Sequence, residues 1–263
     1  MFKLYANTST GQVHARVEES GGDETRPALV CLHPAPSSGL YFATAMPMLN
    51  EGRRVVAPDY PGYGSSDALA GTPAIEDYAR AMLEFIDAAG IETPVDVLGF
   101  HTGCLVGSEM ALQRPRVVRR LVLCDVPYFP ADKRAGLLGK MGQPPGISAE
   151  LASIEPAWRF NVAGRVDDVP LPRTIELLAE HLRAGFNEHL GFAAAFSYAC
   201  EERLPELDVE TTVIATQSTL REPSLAAAAA VPGAVLIEAD EITAAVFESG
   251  ASAIAMRINV ALS

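Results

Sequence analysis

The run Gly99-Phe100-His101-Thr102-Gly103 sets an imidazole at the centre of a glycine-flanked turn. Imidazole titrates near neutrality, so it can act as a general base, a nucleophile or a metal ligand. Val95-Asp96-Val97-Leu98 before it reads as a buried strand, and residues 104–112 after it read as a helix. Such a turn forces its central residue into strained backbone angles, and side chains at the flanking positions would collide with the strand or the helix. His101 is therefore expected at the floor of a pocket. Asp125, immediately after Cys124 at the end of the next apolar run, is the carboxylate placed to orient the ring and favour its protonated form.

These residues need a scaffold, and the chain alternates strand-like with helical segments. That alternation predicts an α/β fold, a mostly parallel sheet flanked by helices. Residues 2–6 and 12–18 flank Ser9-Thr10-Gly11 as a hairpin, and Ala28-Leu29-Val30-Cys31-Leu32 is a strand buried on both faces. A helix is expected at 40–49, a strand at 54–57, a helix at 75–89 and a strand at 121–124. Strands at 211–215 and 234–237 and a last helix at 244–261 complete the pattern. From about 128 to 205 strand character lapses, with helical stretches at 149–154, 173–184 and 193–202. The expectation is a core of residues 1–127 and 206–263 with an inserted helical lid at 128–205. Aromatics in that insertion, among them Trp158 and Phe160, suggest an apolar ligand, although core packing explains many of them equally well.

The 263 residues carry 20 Lys+Arg against 33 Asp+Glu, a formal charge of -13, which disfavours nucleic acid and anionic membranes as partners. No apolar run is long enough to span a bilayer, and Met-Phe-Lys-Leu-Tyr-Ala-Asn-Thr is unlike a secretory signal, so a cytoplasmic protein is expected. Cys31, Cys104, Cys124 and Cys200 lack metal-binding spacing and are read as buried thiols.

Three landmarks in order resemble the α/β-hydrolase superfamily across essentially the whole chain. Leu32-His33-Pro34-Ala35-Pro36 is similar to the family's oxyanion loop. Pro58-Asp59-Tyr60-Pro61-Gly62-Tyr63-Gly64-Ser65-Ser66 is close to its P-D-x-x-G-x-G-x-S turn, and Gly99–Gly103 frames its nucleophile elbow. The resemblance implies an oxyanion hole from the backbone N–H groups of Ala35 and Thr102. It also implies a triad that this chain lacks. His101 stands in the nucleophile slot, Ala215-Thr216-Gln217-Ser218-Thr219 offers no acid, and Thr243 falls in the histidine slot, with no histidine beyond His189.

Two functions follow as expectations. One is an enzyme acting on a small, apolar ester-, lactone- or carbonyl-containing substrate, by hydrolysis or a lyase step without a cofactor, with His101 as base. The other is a degenerate hydrolase-fold protein that binds a small apolar ligand. His33, Ser37 and Ser38 are candidate pocket residues, with a structural hydrogen-bonding role favoured for His33 and helix capping open to the serines. Cys104 is expected to turn into the core. His33, His101 and Asp125 could hold zinc by type, but each has another explanation, so no metal is expected. His181 and His189 could face the cleft, with exposure to solvent the favoured alternative, and a homodimer is compatible with such a lid.

Overall fold

The computed structural model describes residues 1–263. Eight strands form one sheet: β1 (Phe2–Thr8), β2 (Gly11–Glu18), β3 (Leu29–Leu32), β4 (Val55–Pro58), β5 (Val95–Phe100), β6 (Val118–Cys124), β7 (Glu210–Thr216) and β8 (Val235–Ala239). Their spatial order is β1-β2-β4-β3-β5-β6-β7-β8. The first hairpin and the β2–β4 pair are antiparallel, and every later pair is parallel.

Alternation along the central strands divides the core in two. Val30, Leu32, Val95, Val97, Leu121 and Leu123 point to one face. There α1 (Ile75–Ala88) and α2 (Thr102–Gln113) contribute Tyr78, Phe85, Leu105 and Val106. Cys31, Leu98, Phe100, Val122 and Cys124 point to the other, against Phe42, Met46 and Phe247 and the last helix. Period-two burial on both faces is what a doubly covered parallel sheet demands.

Between β6 and β7 the chain builds only helical segments. These are α3 (Ala131–Met141), a 3-10 turn at Leu151–Ile154, α4 (Glu155–Trp158) running into a π turn at Arg159–Ala163, α5 (Leu171–Ala184), α6 (Glu188–Ser197) and α7 (Cys200–Arg203). The remaining helices are α8 (Arg221–Ala230) and α9 (Ala251–Ala261). No helix is long and apolar enough to cross a membrane.

Several boundaries differ from the sequence reading. Residues 40–49 form two 3-10 turns, Gly39–Phe42 and Met46–Met48, with Pro47 inside the second. The last helix starts at Ala251, because residues 244–250 form a turn in which Ala245 has φ +44°. The stretch 193–202 breaks at Tyr198, whose ψ of 125° is extended, and α3 was not foreseen. All four cysteines are buried and free.

Candidate functional site

β5 delivers His101 to the end of the sheet at φ 49° and ψ -115°, the strained left-handed geometry the glycine frame predicts. The frame has a packing cause. A Cβ on Gly103 would lie 2.0 Å from the Leu32 carbonyl oxygen, and one on Gly99 would meet the α2 backbone at Gly103. Only glycine lets α2 approach β3 and β5 this closely.

The His101 ring is half-buried and stacks on Phe100, with centroids 3.9 Å apart. It lines two adjoining cavities. The larger, about 390 Å³, is bordered by His101, Asp125, Arg165, Thr216 and Thr243. The smaller, about 70 Å³, is bordered by His101, Ala35, Ser37, Arg165 and His181. Tyr41 and Phe160 line both. Burial drives the His101 pKa down to about 4; Asp125 opposes that shift and Arg165 adds to it. The ring is therefore neutral at physiological pH, and no hydrogen bond fixes either nitrogen.

Asp125 stands where the sequence put it, fully buried at the end of β6 with φ 53°. Its partner is not the imidazole, which corrects the expected orienting role. Oδ1 accepts from the Thr216 amide at 2.9 Å and Oδ2 from the Thr216 hydroxyl at 2.6 Å. Thr216 ends β7, next to β6 in the sheet, so the strand pairing itself brings the two together. Asp125 reaches His101 through its field and not through a hydrogen bond.

The loop after β3 approaches the start of α2. The Ala35 N–H faces Thr102 Oγ1 at 3.5 Å, the outer limit of a hydrogen bond. Thr102 is the first residue of α2, so no carbonyl of its own helix reaches its amide. Ala35 lines the smaller cavity; Thr102 is buried and lines neither.

The other candidates divide. Ser37 lines the smaller cavity, whereas buried Ser38 caps the next turn by accepting from the Leu40 amide at 3.2 Å. His33 is a correction as a pocket residue, because it is buried and lines neither cavity. Its Nδ1–H donates to the Pro34 carbonyl at 3.0 Å and its Nε2 accepts from the Tyr60 amide at 3.0 Å. Burial lowers its pKa to about 4. His181 faces the smaller cavity, with Nδ1 accepting from Asn161 at 2.9 Å and Nε2 against Glu188 at 3.1 Å. His189 lines neither cavity and bonds the Phe186 carbonyl. No group of three or more His, Cys, Asp or Glu is placed to hold a metal, so His33, His101 and Asp125 do not form one.

Two loops depend on buried Asp59. It accepts from His14 Nδ1 at 2.7 Å, the Gly39 amide at 2.8 Å and the Ser65 amide at 2.9 Å. Burial alone would raise its pKa, but the hydrogen bond from His14 and these other partners outweigh it and leave the pKa lowered. Arg173 ties α5 to the core through Glu248 at 2.8 Å and the Leu40 carbonyl at 2.7 Å.

Sequence reasoning missed Arg165, Tyr41 and the Thr216 bond to Asp125. Nothing local marks Arg165 within the insertion. Thr216 could have been noticed as the polar residue standing where a strand-end acid was sought.

A parallel sheet covered on both faces, with a strained strand-to-helix turn at its carboxyl edge, defines an α/β protein with its site at that edge. Residues 27–169, more than half of the chain, match the family model for the alpha/beta hydrolase fold. The chain belongs to the α/β-hydrolase family. Haloalkane dehalogenase 2 of Mycobacterium tuberculosis is 32% identical over 130 residues, covering 49% of this chain and 43% of that protein. The 3-hydroxybutyrate-oligomer hydrolase of Cupriavidus necator is 33% identical over 121 residues, 45% of this chain and 41% of that one. The chain thus aligns with less than half the length of these relatives. The enol-lactonase of Burkholderia xenovorans has the same fold, with a TM-score of 0.76 at 19% identity over 98% of this chain and 99% of that one.

Proposed function

We propose that the protein is an enzyme acting on a small, apolar ester-, lactone- or carbonyl-containing substrate, without an acyl-serine intermediate. The helical insertion at 128–205 serves as the lid over the cleft. His101 is the general base: its neutral imidazole takes a proton from water as the water oxygen attacks the substrate carbonyl carbon. The oxyanion formed is held by the N–H groups of Ala35 and Thr102, an anion displacing the long contact that Ala35 makes with Thr102 Oγ1. Collapse of the intermediate expels the leaving oxygen, which recovers the proton from the imidazolium. The same base and donors would serve a lyase step without a cofactor.

The observation that carries this reading is that His101 borders both cavities as a neutral ring with no hydrogen-bonded partner. Relatives named as hydrolases support it. The commitment of Asp125 to Thr216 favours the second reading, a hydrolase-fold protein that binds a small apolar ligand without turning it over. Assay of p-nitrophenyl esters, lactones and epoxides on wild type and His101→Ala separates the two. The enzyme reading requires a fall of about a hundredfold or more in the variant, and equal rates in both remove the catalytic role.

A further inference from the structure

Two arginines border the cavities around His101 and differ in one respect. Arg159 is ion-paired with Glu155. Arg165, which borders both cavities, pairs with no carboxylate, although Asp167 and Asp168 follow it closely in sequence. Its guanidinium lies over two aromatic rings, with Cζ 5.0 Å from the Phe160 centroid and 5.9 Å from that of Tyr41. An unpaired cation is unusual in a chain with 33 acidic residues and 20 basic ones. Stacking satisfies the faces of the guanidinium and leaves its in-plane N–H donors available, the geometry that grips a carboxylate through two hydrogen bonds. The π turn Arg159–Ala163 just before it is a helical irregularity of the kind that often positions functional residues.

We propose that Arg165 anchors a carboxylate, so that the cleft takes small organic acids whose apolar part rests on Tyr41 and Phe160 and whose reacting group falls at His101. This rests on the reading of the cleft as the substrate site and supplies the substrate's charge. The other charged groups at the larger cavity do not fill the same role. Asp125 is held by Thr216, Arg159 by Glu155, and Asp168 is a second acid that would repel the ligand unless the guanidinium outweighed it. The anchor also acts on the chemistry. Arg165 helps to hold the His101 imidazole at low basicity, and a carboxylate neutralising that guanidinium would make the imidazole a stronger base only when the site is filled.

The test uses matched probes that differ only in charge: phenylacetate with phenylacetamide, and 4-phenylbutyrate with its amide. Binding to wild type, Arg165→Met, Arg165→Lys and His101→Ala is followed by titration calorimetry, with thermal melting to verify that each variant is folded. The acids are expected to bind wild type and His101→Ala at least about tenfold more tightly than the amides. Arg165→Met should bring the ratio to about one, and Arg165→Lys should restore part of it. Equal binding of acid and amide, no binding of either acid at millimolar concentration, or an acid preference that survives Arg165→Met would each overturn the anchor. Hydrolysis unaffected by His101→Ala alongside an intact acid preference would remove the base and leave the anchor standing.

Discussion

Asp125 and Thr216 hold each other across the carboxyl ends of β6 and β7, through the Thr216 amide at 2.9 Å and its hydroxyl at 2.6 Å. This pair determines how His101 behaves, because the carboxylate that could hydrogen-bond the ring is spent on the neighbouring strand. Thr216→Val keeps the shape and removes the hydroxyl. The variant is expected to lose about 1–3 kcal/mol of stability, since a buried carboxylate oxygen loses its partner. The His101 pKa is expected to rise from about 4 as Asp125 becomes free to turn to the ring. Urea unfolding and an NMR titration of the imidazole check both. An unchanged His101 titration would mean that Thr216 does not restrain the carboxylate.

The depressed basicity of His101 gives the pH profile a definite shape. A base must be neutral to work, so kcat/KM is lost as pH falls through its pKa in the free enzyme. With that pKa at about 4, the profile is expected to be flat from about pH 5 to pH 8, with an acid limb near 4. An acid limb near the ordinary 6.5 would show that the ring is far better solvated than its surroundings imply.

The approach of α2 to β3 rests on Gly103. Its replacement by alanine would put Cβ 2.0 Å from the Leu32 carbonyl oxygen, a backbone atom that cannot swing away. Gly103→Ala is therefore expected to cost about 3 kcal/mol or more, by the overpacking that makes a few substitutions severe. Chemical denaturation measures this. A loss below about 1 kcal/mol would show that strand and helix separate easily, and the turn would then not hold His101 rigidly.

The features legible in the sequence were those set by local sterics and periodicity. The strands at 28–32, 95–98, 121–124 and 211–215 were readable because apolar runs bounded by turns have little else to become. The strain at His101 followed from two glycines four residues apart. Thr243 borders the larger cavity with His101, as its place in the family pattern implied. The partner of Asp125 was not legible, because it depends on which strand end lies beside β6 and how a threonine rotates there. The long-range fold brings residues 91 positions apart into contact, and no local pattern records that. Arg165 was hidden for the same reason: its meaning lies in the rings it covers and the acids it does not meet. Helix boundaries failed where an interruption was local but subtle, as at Ala245 and Pro47.

His33 gives the fold itself a pH response. Its folded pKa, lowered by burial to about 4, lies below the ordinary 6.5 expected of the unfolded chain. Above about 6.5 both states hold the ring neutral and stability does not depend on it. As pH falls from about 6.5 to about 4, the unfolded chain takes up a proton that the native state refuses, so stability falls with pH. The loss attributable to this ring approaches about 3 kcal/mol at the lower end of the window. His33→Gln retains an acceptor for the Tyr60 amide but cannot titrate. Its stability should therefore decline less than that of wild type between pH 7 and pH 4, by about that amount, whatever the variant costs at pH 7. Urea unfolding across this range measures the difference. Parallel curves would show that His33 is protonated as readily in the native protein as in the unfolded chain, and its role as the neutral link between the Pro34 carbonyl and the Tyr60 amide would fall with it.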